Sequence, residues 1–234
     1  MLRIRSLPLW ILLLLATLSK ADAETVPFLP FTAQYSGKAK GMSVEKLGSR
    51  KLIDLGDQQY RIEYRAEAMV YSLEETSQFQ WQNGAPLPQR YRSSRGTFLK
   101  KRKSAMNFDW PNQRINFEHK GKKGTLPLSE GMQDPLTSTL YIAAQLQSDK
   151  SQIEFDEAVG HKWSHRKFVL KGKTDLETKM GTIPTFHLER LHDDKERETN
   201  IWLHADYPYI PVKVKQIDEG DLFLLELTEF RIDQ

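Results

Sequence analysis

The chain has 234 residues, with 34 Lys and Arg against 31 Asp and Glu, 39% hydrophobic and 10% aromatic residues, and a mean hydropathy of −0.58. That is enough apolar material for a core and too much for wholesale disorder, and the length suits one large domain or two small ones. With no cysteine, a disulfide framework, a thiolate nucleophile, an iron–sulfur cluster, every Cys-based zinc site and a lipid anchor on an amino-terminal cysteine are excluded.

The first segment reads as an export signal. Arg3 and Arg5 precede the apolar run 9–16, which ends before Ala21-Asp22-Ala23, a small-x-small cleavage site. The run is shorter than the roughly 20 residues that span a bilayer, and no second long apolar run follows. The expectation is a signal peptide over 1–23, and a periplasmic mature chain over 24–234 with no lipid anchor and no transmembrane segment. Cleavage would leave 31 of the 34 bases and 30 of the 31 acids. A near-neutral mature chain removes the compositional support for a nucleic-acid partner.

Strand periodicity dominates the rest. Tyr60, Ile62, Tyr64, Ala66, Ala68 and Val70 alternate with Arg61, Glu63, Arg65, Glu67 and Met69, the pattern of a half-buried strand. Shorter alternations recur at Phe31-Ala33-Tyr35, Phe79-Trp81, Met106-Phe108-Trp110, Ile115-Phe117, Phe168-Leu170, Phe186-Leu188, Ile201-Leu203 and Val212-Val214, with Asn83-Gly84 and Glu219-Gly220-Asp221 as tight turns between strands. Leu222-Phe223-Leu224-Leu225-Glu226-Leu227 is apolar on both faces and should be central or covered. The spacing predicts an all-β, mainly antiparallel fold: a barrel or strongly curved half-barrel of about ten to twelve strands. Asp134-Pro135 and the apolar positions Leu136, Leu140, Ala143 and Ala144 predict the single exception, an amphipathic helix over about 135–147 that plugs the mouth of the sheet or covers its edge. No Gly/Ser linker or internal repeat appears, so residues 24–234 are expected to form one β-rich domain.

No catalytic motif emerges. His161 and His165 have the H-x3-H spacing, but Lys162 stands where the metalloprotease helix carries glutamate, and the segment reads as a turn leading into a strand. There is no G-x-S-x-G, S-x-x-K or phosphate-binding Gly-rich loop. Glu74-Glu75 and Asp193-Asp194 are adjacent, so on a strand they face opposite ways and in a turn they face water. No metal or cofactor is expected.

Charge distribution says more. Arg90, Arg92, Arg95, Lys100, Lys101, Arg102 and Lys103 fall in fourteen residues, and from Arg90 to Thr125 eleven bases face two acids. Such a basic lobe attracts phosphates, anionic lipid headgroups or an acidic protein face. Tyr91 and Phe98, interleaved with these bases, suit the buried face of the same hairpin. A second candidate surface is the concave apolar face near Tyr60, Ile62, Tyr64, Phe79 and Trp81, which either forms plain core or receives a lipid-like or partner segment.

Three stretches carry a resemblance to a known family: Gly131-Met132-Gln133-Asp134-Pro135-Leu136-Thr137-Ser138, then Met180-Gly181-Thr182-Ile183-Pro184-Thr185-Phe186, then Ile201-Trp202-Leu203 leading to Tyr207-Pro208-Tyr209-Ile210-Pro211-Val212-Lys213. In their order they resemble the exported bacterial proteins grouped as domain of unknown function 3108. The resemblance implies a periplasmic location and a β-barrel-like sheet with a helix, and it supplies no catalytic residue. The expected function is a non-enzymatic envelope binding module for a lipid-like ligand, an anionic surface such as anionic lipid or lipopolysaccharide, or an envelope protein. The alternative is a hydrolase of envelope carbohydrate or lipid whose site is assembled from distant residues.

Overall fold

The structure, a computed structural model, describes residues 26–39, 42–68, 70–97 and 99–233. The signal segment 1–23, Met69 and Phe98 lie outside the described residues. The first eight strands are β1 (Phe31–Ala39), β2 (Met42–Gly56), β3 (Gln59–Ala68), β4 (Tyr71–Gln82), β5 (Ala85–Thr97), β6 (Lys100–Asp109), β7 (Arg114–His119) and β8 (Lys122–Pro127). After helix α1 (Thr137–Gln147) come β9 (Gln152–Val159), β10 (Lys162–Thr178), β11 (Gly181–Leu191), β12 (Glu198–His204), β13 (Pro211–Asp218) and β14 (Asp221–Ile232).

Fourteen strands form one antiparallel sheet, in the order β8-β7-β6-β5-β4-β3-β2-β1-β14-β13-β12-β11-β10-β9. The count exceeds the expected ten to twelve because β2, β5, β8 and β9 carry weak apolar alternation. Within β5, for example, the buried positions include Pro86 and Pro88. Consecutive strands are neighbours except β8 and β9, which form the two edges of the sheet, as the short links between the others require. At Asn83-Gly84 both residues have positive φ, 55° and 72°, which matches the twist of the flanking strands. The chain's first and last strands pair as Phe31↔Ile232 through Ala39↔Phe223, so β14 is hydrogen-bonded on both sides, as its two-sided apolarity requires.

The open seam therefore falls in the middle of the chain, between β8 and β9. Residues 128–136 and α1 fill it. Leu128 N donates to Gln113 O at 3.0 Å, Gln133 N donates to Asp156 O at 2.8 Å, and Ala158 N donates to Gln133 O at 2.9 Å. The crossing segment thereby adds a short parallel bridge to the edge strand β9, covering ladder groups that would otherwise invite edge pairing.

The helix starts two residues later than expected, at Thr137: Asp134 Oδ1 accepts from Leu136 N at 2.8 Å and from Thr137 N at 3.0 Å, and Arg50 Nη2 takes the Leu136 carbonyl at 3.0 Å, so residues 135 and 136 form a turn tied down by side chains. It is buried on two sides instead of one. Leu140, Ala143 and Ala144 join the main core, while Ile142 and Leu146 join a second cluster with Ile153, Phe155, Phe168, Leu188 and Leu203. α1 is thus a wedge between two parts of the interior.

Candidate functional site

Register places the inward side chains of β2–β7 in layers. One layer runs Leu52, Ile62, Ser77, Tyr91, Met106, Phe117 from strand to strand. Beneath it Phe28 stands edge-on to Tyr60 at 5.1 Å, to Phe79 at 6.0 Å and to Trp81 at 5.1 Å between ring centres. Tyr60, Ile62, Phe79 and Trp81 are all buried in this packing, and Tyr64 is half-buried at its margin. The concave apolar face is therefore filled by its own side chains.

The next layer is polar over six strands: Arg50, Tyr64, Glu75, Ser93, Ser104 and His119 are successive register partners. The Tyr91 hydroxyl donates to Glu75 Oε1, and His119 Nδ1 lies 3.3 Å from Ser104 Oγ. Arg50 is buried and donates through Nη2 to Leu136 O at 3.0 Å. Burial pushes its pKa down, and the neighbouring Tyr35, Tyr64, Glu75 and Asp134 oppose that shift. Burial also pushes the Glu75 carboxyl up, against the Tyr91 hydrogen bond and the charges of Arg95 and Arg50.

Asp134 closes this interior. It is fully buried, and its Oδ2 accepts from Ser77 Oγ. Burial outweighs three hydrogen bonds and raises its pKa to about 6. Across the seam, Glu157 accepts from Arg166 Nε at 2.7 Å and from Ser138 Oγ at 2.8 Å. A cavity of about 260 Å³ lies where these elements meet; Glu75, Tyr91, Ser93, Arg95, Arg102, Ser104 and His119 line one wall, and Pro135, Glu157, Gly160 and Arg166 the other.

The seven bases of the lobe are all exposed on the adjacent strands β5 and β6. Most of them are distributed over two adjoining spaces, with Arg102 and Lys103 bordering both. Arg92, Lys101, Arg102 and Lys103, joined by Lys120, border a groove of about 700 Å³ whose acids are Glu74 and Glu118 and whose hydroxyls include Thr76, Ser93, Ser94 and Ser104. Arg95, with Arg102 and Lys103, reaches the seam cavity. Arg90 and Lys100 line neither. Lys101 Nζ lies 3.3 Å from Glu74 Oε1, an exposed pair worth little. The interior partners of the lobe, Arg50, His119, Asp134 and Glu157, escaped sequence reasoning; the only signal for them was Asp134 in the helix-start motif.

His161 lies in the β9–β10 turn and His165 within β10, where His165 Nδ1 is 3.0 Å from Asp156 Oδ1 and Nε2 is 3.2 Å from Glu154 Oε2. Among the described residues no group of three His, Asp or Glu side chains could hold a metal ion. No helix of the described residues is long and apolar enough to cross a membrane. Trp202, half-buried, stacks on His187 at 4.5 Å between ring centres, with Lys213 Nζ 5.9 Å from its ring centre.

A large, curved, open antiparallel sheet with a helical wedge in its seam and a largely half-buried polar layer beneath a basic groove defines the class of protein. Residues 30–228 match the family described as Protein of unknown function (DUF3108), and the chain belongs to that family. A solved structure, the beta-barrel-like protein of domain of unknown function DUF1849 from Brucella abortus, is similar with a TM-score of 0.60 at 12% identity, over 88% of this chain and 99% of that one. At that identity the likeness concerns the fold alone. A search of the curated proteins finds no match.

Proposed function

We propose that this protein is a non-enzymatic binding module of the bacterial envelope, exported to the periplasm, that docks on anionic surfaces through its basic groove. The observation that carries the reading is the convergence of Arg92, Lys101, Arg102, Lys103 and Lys120 on one groove with only Glu74 and Glu118 against them. Bases near anionic lipid contribute about 1 kcal/mol each and are weakened by salt, so five acting together give useful adhesion where one does not. The amino-terminal charge and apolar pattern supports export. The filled concave face disfavours a lipid chain held among Tyr60, Ile62, Phe79 and Trp81. Co-sedimentation with phosphatidylglycerol vesicles, against phosphatidylcholine vesicles as the neutral control, tests the reading: pelleting with the first alone supports it, and no pelleting with either refutes it.

One observation favours a second reading, a hydrolase assembled from distant carboxylates. Glu75 and Glu157 line the same cavity, and burial pushes Glu75 toward its protonated form. Against it, each carboxylate is already engaged, Glu75 by Tyr91 and Glu157 by Arg166 and Ser138. Turnover of envelope glycans or lipids that Glu75→Gln abolishes would establish it.

A further inference from the structure

Arg95 and Arg102 are direct register partners on β5 and β6, and both line the seam cavity. Like charges opposite one another on neighbouring strands repel. Neither guanidinium has a close hydrogen bond or ion pair among the described residues; the acids of the cavity are Glu75, on which the charge of Arg95 acts and which the Tyr91 hydroxyl engages, and Glu157, which Arg166 engages. One layer further in, Ser93 and Ser104 are again register partners and line the same cavity. His119, the register partner of Ser104, has its pKa pushed down by burial and by the charges of His161, Lys120 and Arg95. Arg166 on the far wall is spent on Glu157. Two guanidiniums without a close carboxylate partner thus stand over two hydroxyls, that of Ser104 3.3 Å from His119 Nδ1, in a space of about 260 Å³.

We propose that this cavity is a site for one phosphate group. A phosphate monoester offers several acceptor oxygens in tetrahedral arrangement; two forked guanidiniums and two hydroxyls can satisfy these together, and the anion cancels the repulsion that sets Arg95 against Arg102. The space admits a headgroup and a few further atoms, with an acyl chain or sugar left outside. The phosphate can come from a lipid headgroup or from a soluble ester, the chemistry being shared. This inference rests on the reading of the lobe as an anion-seeking surface and adds a specific site behind it.

The test is titration of the full mature chain with inorganic phosphate and with glycerol 3-phosphate, followed by thermal melting and by ³¹P line broadening. A parallel arm uses phosphatidylcholine vesicles doped with phosphatidic acid. Both soluble probes should raise the melting temperature of the wild type. R95Q/R102Q should bind them at least about tenfold more weakly, as expected for losing two charge-assisted contacts, with its melting in the absence of phosphate as the folding control. A flat wild-type titration, or equal binding by R95Q/R102Q, overturns the site. If that variant does not fold, Arg102→Gln alone, read by ³¹P broadening, carries the same comparison. Soluble binding with no doped-vesicle effect assigns a free ester; a stronger effect on doped vesicles assigns a lipid headgroup. Failure here leaves vesicle adhesion through the outer groove intact, whereas failure of that adhesion leaves the soluble titration to stand or fall separately.

Discussion

His119 and Gly160 meet across the open seam of the sheet: a Cβ on Gly160 would lie 2.7 Å from His119 Nδ1. His161 continues the contact, its ring 4.9 Å from that of His119. The β9–β10 turn therefore rests on the end of β7, so packing supplies part of the closure there. Gly160 has φ +66°, a conformation that costs an L-residue about 1 kcal/mol before any clash. Gly160→Ala should destabilise by about 2 kcal/mol or more in urea titrations. In a cycle with His119→Ala the two losses should be less than additive, because the shortened side chain makes room for the new methyl. Strict additivity would show that the turn does not rest on His119.

The Asp134 carboxyl predicts an unusual pH dependence. Its folded pKa, about 6, lies above its ordinary 3.8, so the folded state binds more protons than the unfolded state between those values. By linkage, its contribution to stability becomes more favourable as pH falls through about 6 and levels off below about 3.8. Asp134→Asn retains an acceptor for Leu136 N and Thr137 N but cannot titrate. The stability of wild type relative to Asp134→Asn should rise as the pH is lowered from 7 to 4, measured by urea midpoints at constant ionic strength. His119 acts in the opposite sense. Its pKa is lowered in the folded state, so its contribution is present above about 6.5 and is lost as pH falls. Comparison with His119→Gln separates the two. A pH-independent difference between wild type and Asp134→Asn would mean that the crossing segment is wetter than its full burial implies.

Removal of the Asp134 side chain should be far more damaging than its neutralisation. Asp134→Ala leaves Ser77, Leu136 N and Thr137 N without their acceptor. The expected loss is about 2–4 kcal/mol, from one cap and one buried hydrogen bond. Hydrogen exchange should then show faster opening in α1 and β9 before the β1–β14 ladder. Uniform acceleration everywhere would argue that the seam is not a separately opening unit.

Phe28 precedes the first strand and stands edge-on to Tyr60, Phe79 and Trp81. It fills the apolar end of the interior. Phe28→Ala should cost about 3–4 kcal/mol, the usual range for an aromatic core truncation, and should shift the emission of Trp81 as water reaches its ring. A loss below about 1 kcal/mol would show that the segment before β1 only lies over a core complete without it.

The sheet was legible where apolar alternation was strong, as in β3 and β14, and the helix was legible from Asp134-Pro135 and its apolar spacing. Four strands were not. The inward positions of β2 include Arg50 beside Leu52, those of β5 include prolines, Ser93 and Arg95, and β8 is short and rich in lysine and glycine. Inward polar residues erase the period that marks a strand. Two of them, Arg50 on β2 and Ser93 on β5, belong to the polar layer, so there the feature that hid the strand also builds the site. Each strand from β2 to β7 contributes one residue to that layer, and only register assembles Arg50, Tyr64, Glu75, Ser93, Ser104 and His119. The charge run over 90–103 was visible because it is contiguous; that Arg95, Arg102 and Lys103 also border an inner cavity depends on the arrival of β9 and β10 from the far end of the sheet.

Adhesion of the outer groove to anionic surfaces is tested most directly by vesicle co-sedimentation of wild type and R92E/K101E/K120E across a salt series. Arg92, Lys101 and Lys120 line the groove and not the seam cavity, and all three are exposed, so circular dichroism should show an unchanged fold. Wild type should pellet with phosphatidylglycerol vesicles at low salt and release as ionic strength rises. The triple reversal should release at distinctly lower salt or fail to pellet, since each lost base removes about 1 kcal/mol. Equal pelleting of the two proteins at every salt concentration would contradict the account.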